Sequence, residues 1–143
     1  MFYYGEYRVV MDDKGRMRIP NKIKSQLGSG AVTIFAGGQD VLYLMTEEEF
    51  KAKVADLAED TPFGDQKRQN ALRMFSSTVF TPEEDAQGRF ILPAKPKSIA
   101  GIKKNIVFLG AMNRVEIWAE EKYEAQFGLD KLDVNSALTT LGI

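Results

Sequence analysis

The chain has 143 residues, a formal net charge of -1, 44% hydrophobic residues, no cysteine and no histidine. That length suits one full core or two small interlocked halves, and the missing residue types remove disulfides, thiolate nucleophiles, His-based triads and His or Cys metal sites together. An enzyme would be left with carboxylates, Lys, Tyr or Ser; no stretch is apolar for long enough to cross a bilayer, and the start, Met1 to Glu6, has no basic and apolar regions of an export signal.

Tyr7 to Met11 is rich in strand formers and leads into a turn at Asp12-Asp13-Lys14-Gly15, from which Arg16 to Ile19 returns as a short strand. An Asp closes such a turn by accepting backbone N–H groups just ahead of it, and a Gly three residues on supplies the positive φ. After Pro20, Asn21 to Leu27 reads as a short helix ended by Gly28, with Ile23 and Leu27 on one face. Val32 to Phe35 is a buried-type strand, Gly37-Gly38-Gln39-Asp40 a turn, and Val41 to Met45 the return strand. Thr46 with Glu49 makes a capping box for a helix with an apolar stripe of Phe50, Val54, Leu57 and Ala58, running to about Glu59. Beyond Asp60-Thr61-Pro62 another helix spans roughly Gly64 to Phe75, with Ala71, Leu72 and Phe75 inward and Lys67, Arg68 and Arg73 outward.

The pattern then restarts. Ser76 to Phe80 is the incoming strand, Asp85-Ala86-Gln87-Gly88 the turn, Arg89 to Leu92 the returning strand, and Ala94 to Ile99 a short helix before Gly101. Pro96 stands where the first copy has Ile23, which predicts a curtailed second helix. Ile106 to Leu109 and Val115 to Trp118 are strands around a turn at Gly110 to Asn113, and Ala119 to Phe127 is a helix with Tyr123 and Phe127 on one face. Phe35, Phe50, Phe108, Trp118, Tyr123 and Phe127 are expected in the core, whereas Met1, Phe2, Tyr3 and Tyr4 read as an exposed patch between subunits. The tail, Leu129 to Ile143, reads as a weak helix or a docking arm.

Superposing the halves at a constant offset of 73 residues needs no gap from Asp12 to Phe50. Asp12, Gly15, Arg16 and Pro20 meet Asp85, Gly88, Arg89 and Pro93; further on, Lys22 meets Lys95, Lys24 meets Lys97, Gly28 meets Gly101 and Phe35 meets Phe108. A unit repeated within one chain constrains the fold more than local propensity does. Neither half holds enough residues for an independent core, so the halves are expected to interleave about a pseudo-two-fold axis. The charge follows the repeat. Lys14, Arg16, Arg18, Lys22 and Lys24 form a window without acids, and so do Arg89, Lys95, Lys97, Lys103 and Lys104, although the whole chain is slightly acidic.

Asp-x-x-Gly-Arg-x-x-aliphatic-Pro occurring twice, each copy followed by strand, Gly-containing turn, strand and an acid-started helix, resembles the MraZ family, as does Val115-Glu116-Ile117-Trp118 before the last repeat helix. The resemblance covers Gly5 to about Phe127. It implies an α+β fold in which duplicated swapped-hairpin (AbrB-like) β-barrel halves are related by a pseudo-two-fold, with flanking α-helices: a first repeat at 5–50, connecting helices at 51–75, a second repeat at 76–123 and a C-terminal helix and tail at 124–143. It further implies a cytoplasmic, nucleoid-associated, sequence-specific DNA-binding regulator. Such a protein would repress its own cell-division and cell-wall gene cluster by binding short tandem promoter repeats as a ring-shaped homo-oligomer, octamer or dodecamer, without cofactor.

The residues point the same way by their chemistry. An Arg beside a rigid turn is pre-organised for guanine O6 and N7, and one such bidentate pair discriminates by about 1–3 kcal/mol, so several hairpins on one assembly are needed. Arg16 and Arg89 are the candidate base readers; Lys14, Arg18, Lys22, Lys24, Gln87, Lys95 and Lys97 complete the DNA-contact set, with Asp12, Gly15, Asp85 and Gly88 forming the turns. In the competing structural reading, Arg16 and Arg89 pair with Asp12 and Asp85, or with a carboxylate across the pseudo-two-fold, and pin the hairpins. The second tip is the less basic, with Gln87 for Lys14 and Ile91 for Arg18. Rival functions are an antitoxin-type interaction protein with a partner-binding tail, and an enzyme acting on a phosphorylated substrate through Asp and Arg. Glu47-Glu48-Glu49 and Glu120-Glu121 belong to helix starts rather than to a metal site.

Overall fold

The computed structural model describes residues 1–143. The first repeat runs β1 (Tyr3–Val10), β2 (Arg16–Arg18), α1 (Asn21–Leu27), β3 (Val32–Gly38), β4 (Val41–Thr46) and α2 (Glu47–Val54); α3 (Gln66–Ser76) connects the repeats. The second runs β5 (Arg89–Ile91), α4 (Ala94–Ala100), β6 (Asn105–Met112), β7 (Val115–Ala119) and α5 (Glu120–Phe127), followed by a 3-10 turn at Leu129–Lys131 and α6 (Val134–Leu141).

The strands exchange between repeats. An antiparallel five-stranded sheet has the order β1-β6-β7-β4-β3, and a second, two-stranded sheet pairs β2 with β5. Both contacts across the centre obey the offset of the repeat. Leu42 faces Ile117 and Leu44 faces Val115, with Tyr43 opposite its own counterpart Glu116. Likewise Arg16 faces Ile91 and Arg18 faces Arg89, with Met17 opposite its counterpart Phe90. Exchanging the halves maps each pairing onto itself, which places a pseudo-two-fold axis at Tyr43–Glu116 and at Met17–Phe90. The duplicated swapped-hairpin form read from the sequence is therefore the form of the fold.

One core serves both halves. Met17, Ile19, Ile23, Leu27, Ile34 and Leu42 of the first repeat and Phe90, Leu92, Ile106, Phe108 and Ile117 of the second belong to a single buried cluster. A smaller cluster joins Val41 to Val107, Trp118 and Tyr123. Phe35, Phe108, Trp118 and Tyr123 are buried as expected, but Phe50 is only half-buried and Phe127 is exposed. At the N-terminus the expected exposed patch loses its centre: Met1, Phe2 and Tyr4 are exposed, while Tyr3 is fully buried and donates its hydroxyl to Glu49. Glu49 in turn completes the capping box with Thr46, so the predicted helix start ties the first strand to α2.

Several boundaries depart from the sequence reading. The first strand begins at Tyr3 rather than Tyr7, because all of β1 pairs with β6 from Tyr3–Met112 to Val10–Asn105. The Gly37–Gly38 turn is shifted: β3 continues through Gly38, and Gln39 and Asp40 form the tip with φ of 53° and 61°. α2 ends at Val54 and turns replace helix to Asp60. The curtailed second helix is not found. α4 has the seven residues of α1, since Pro96 is its third residue, where a backbone N–H has no intrahelical acceptor to lose.

The expected strand Ser76 to Phe80 is reduced to a single bridge, Ile34–Phe80, with N–H···O distances of 2.9 Å both ways. Two causes are visible. α3 runs on through Ser76 and consumes the start of the strand, and Pro82, standing where β1 has Val9, has no N–H to continue a ladder. The bridge also lies one residue out of the symmetric register, since Arg8–Val107 would map onto Thr81–Ile34. The symmetry holds at the centre and fails at this edge.

Because Phe90 is buried on the axis, Phe90→Ala is expected to destabilise the whole chain in one transition by about 3–5 kcal/mol, read from the midpoint of urea unfolding. Loss of structure in only one repeat would contradict the shared core.

Candidate nucleic-acid interface

The two tips are built bond for bond alike. Asp12 Oδ1 accepts the backbone N–H groups of Lys14 and Arg16, both at 2.9 Å, while its Oδ2 accepts Arg16 Nε–H at 2.7 Å. The Gly15 N–H reaches Asp12 O at 3.0 Å with a φ of 77°. At the second tip Asp85 Oδ1 accepts from Gln87 and Arg89 at 2.9 Å, Oδ2 accepts Arg89 Nε–H at 3.0 Å, and the Gly88 N–H closes on Asp85 O at 3.0 Å with a φ of 76°. A side chain other than Gly at either position would be strained.

The Arg–Asp pairing of the structural reading is thus present, with the hairpin's own Asp and at its surface. Arg16 and Arg89 side chains are each 27% exposed, and in each only Nε is held by a protein acceptor. The Nη groups carry the remaining donors and keep them free. Fixing Nε orients the guanidinium without consuming its outer fork, so structural pinning and presentation outward are compatible.

Pairing of β2 with β5 then gathers the motif side chains. Along each strand the middle residue, Met17 or Phe90, points into the core, so its neighbours Arg16, Arg18, Arg89 and Ile91 share the outer face. Arg18 lies directly opposite Arg89, and Arg16 is diagonal to Arg89 at about 7–8 Å. Like charges facing each other across a ladder are destabilising, and the only carboxylates bonded to this face are the two turn aspartates. Arg18 makes no ion pair. Since the strands are antiparallel, the two tips stand at opposite ends of the ribbon.

The lysines divide. Lys14, Lys22 and Lys95 are exposed and, like half-buried Lys97, unpaired. Lys24 is different: its Nζ binds Glu84 Oε2 at 2.8 Å and lies beside Gly88, so α1 of the first repeat buttresses the tip of the second. The counterpart Lys97 does not do the same, and the space around Gly15 is open. Glu84 was not singled out in the sequence; the signal was its position, where the offset pairs it with Met11. Ile91, 64% exposed amid guanidiniums, is the other overlooked member of the face. Gln87 is exposed at its tip.

The turn carboxyls are acidified. Asp12 is held below the ordinary aspartate range first by the Arg16 backbone N–H, with the Arg16 guanidinium and the Lys14 N–H adding to it against a partial desolvation. Asp85 is held low in the same way, first by the Arg89 N–H, then by Gln87 and the Arg89 guanidinium. Both therefore stay ionised across the neutral range, and the turn bonds weaken only in acid.

This geometry defines a class: a duplicated swapped-hairpin protein that displays a cationic two-stranded ribbon across its pseudo-two-fold. The family described as "MraZ protein, putative antitoxin-like" matches the chain twice, at residues 2–73 and 74–139. The chain belongs to the MraZ family. A relative from Lactobacillus delbrueckii subsp. bulgaricus, named Transcriptional regulator MraZ, is 37% identical over 85% of this chain and 84% of its own length. Those from Clostridium beijerinckii and Lachnoclostridium phytofermentans bear the same name at 33% and 32% identity, over 94% and 92% of this chain and 92% and 90% of theirs. These names describe regulators of transcription rather than enzymes. No helix is long and apolar enough to cross a membrane.

An NMR titration tests the turn directly. The Asp12 carboxyl is expected to titrate below about 3.9, the ordinary aspartate value. In Arg16→Ala it should move only part of the way back, because the backbone donors, the larger cause, remain. The folded pKa being depressed, the turn's contribution to stability is present above the unfolded pKa and lost as pH falls through the folded one.

Proposed function

We propose that this chain is a sequence-specific DNA-binding transcriptional regulator whose reading element is the β2–β5 ribbon. The observation that carries this reading is the pair of part-exposed guanidiniums fixed by Nε on rigid turns, with their Nη donors unbonded within the protein. A major groove admits a two-stranded β-ribbon, and a guanidinium fork matches guanine O6 and N7. Arg16 and Arg89 are assigned to base edges, with Arg18, Lys14, Lys22, Gln87, Lys95 and Lys97 on phosphates. Lys24, neutralised by Glu84, holds the second tip in place and contacts DNA less strongly than its neighbours. Asp12, Gly15, Asp85 and Gly88 set the turns.

A single ribbon supplies too little discrimination for a promoter, so the reading includes a ring-shaped homo-oligomer, octamer or dodecamer, in which each subunit reads one short tandem repeat. Repression of the protein's own cell-division and cell-wall gene cluster, in the cytoplasm and on the nucleoid, is the biological form of that activity. The family resemblance and the names of the relatives support it. Residues 5–50 and 76–123 are the two reading units, 51–75 the connecting helices and 124–143 the C-terminal helix and tail.

Binding to the protein's own upstream DNA should fall by roughly 10³–10⁵ between 50 and 200 mM salt if 6–10 phosphates are neutralised. Arg16→Ala should cost about 1–3 kcal/mol on that DNA and much less on a scrambled duplex, with an unchanged sedimentation profile. Equal losses on both duplexes, or a variant that falls apart, would refute base reading by Arg16. Lys24→Ala should cost less than Lys22→Ala at the same salt concentration.

A further inference from the structure

Two apolar surfaces of this chain have nothing in the chain to cover them. The first is α6. It is bounded at both ends, with the Ser136 N–H donating to Asp133 at 3.0 Å and Gly142 in the left-handed region at a φ of 75°. Yet Val134, Leu138 and Leu141 are exposed, as are Leu132 and Leu129 before them, and no residue of α6 is charged. An eight-residue helix does not persist in water on its own propensity, so one this clearly delimited calls for a docking surface.

The second is the trough between α2 and α3. Phe50 and Phe75 pack on Phe35 with ring centroids at 4.9 and 5.8 Å, but neither helix contributes a buried residue. Beyond those rings Val54, Leu57, Ala58, Leu72 and Val79 line an open apolar groove. One cation lines the groove: Arg68, which has no carboxylate in ion-pair reach. Asp130 and Asp133, by contrast, lead into α6. The apolar faces suit each other, and Arg68 on the groove is opposite in charge to Asp133, the unpaired acid at the start of α6.

We infer that α6 of one copy lies in the α2–α3 groove of the next copy, as a head-to-tail contact that builds the ring. The inference rests on the oligomeric reading above and names its joint. A ring larger than a dimer needs two different patches on every subunit. Here they follow different repeats and belong to different ends of the sheet, the groove against β3 and β4 and the tail after α5 on β6 and β7. The β2–β5 ribbon takes no part, so it stays free for DNA. One such contact is small for a stable dimer, and closure of the ring, holding each subunit on both sides, makes up for it.

The chain has no cysteine, so Leu138→Cys and Leu57→Cys can be introduced together or singly and the purified full-length protein treated with a flexible bismaleimide. The double variant is expected to give a ladder of covalent multimers on a denaturing gel, each single variant one monomer band, and a reassembled mixture of the two no more than a dimer. An internally linked monomer, which would mean that the tail fills its own groove, overturns the inference; so does a single variant that links to itself, or the absence of any link. Sedimentation separates the two failures. A wild-type protein that stays monomeric refutes the ring together with its joint, whereas a multimeric wild type without a ladder refutes the joint alone. In parallel, Leu138→Glu should shift sedimentation to smaller species while leaving the far-ultraviolet circular dichroism of the folded subunit unchanged, and an unshifted profile contradicts the proposal.

Discussion

The pairing of β2 with β5 is the contact on which the rest depends. It lasts three residues on each side, yet it does two things at once. Its inner residues, Met17 and Phe90, seal the shared core on the pseudo-two-fold axis; its outer residues bring the cationic side chains of both motif copies onto one face. The period of two in a strand makes these jobs inseparable: a slip of one residue would bury the arginines and expose Met17 and Phe90. Register is therefore held by the core, and the cationic face inherits its precision from hydrophobic burial.

The turns add a second level of order. Each Asp serves two backbone donors with one oxygen and its Arg with the other, so the guanidinium is aligned by the same carboxylate that shapes the loop. A long flexible side chain would otherwise lose rotamer freedom on meeting a base edge. The two halves differ at the Lys24–Glu84 brace, present at one tip only, at Ile91 in the place of an arginine, and at the lone bridge where β1 has a counterpart strand. A pseudo-symmetric protein altered in this way has two chemically distinguishable ends to its ribbon.

The repeat, the exchange of halves and the tip chemistry were legible in the sequence because they rest on residue types with few alternative uses: Gly at positive φ, Asp ahead of it, Pro after the strand. Strand partners were not legible, since periodicity says which residues face inward and nothing about which strand they meet. The lost strand at Ser76 to Phe80 follows the same division. Its composition is strand-like, and only the extension of α3 and the missing N–H of Pro82 removed the ladder. Pro96 misled for a local reason: with the helix starting at Ala94, as the sequence also placed it, Pro96 falls in the first turn, where its missing N–H breaks no intrahelical bond. The Lys24–Glu84 pair spans the two repeats and had no local signature, although the mismatch of Met11 with Glu84 at the constant offset marked the place.

That the ribbon reads guanines through Arg16 and Arg89 is tested most directly by dimethyl sulfate protection on the protein's own promoter DNA. Methylation reports guanine N7, the atom that an arginine fork covers in the major groove. The expected result is guanine protection recurring once in each short tandem repeat, absent on a scrambled duplex and lost with Arg16→Ala. Guanines that stay fully reactive in a saturated, sequence-specific complex would contradict base reading by these arginines.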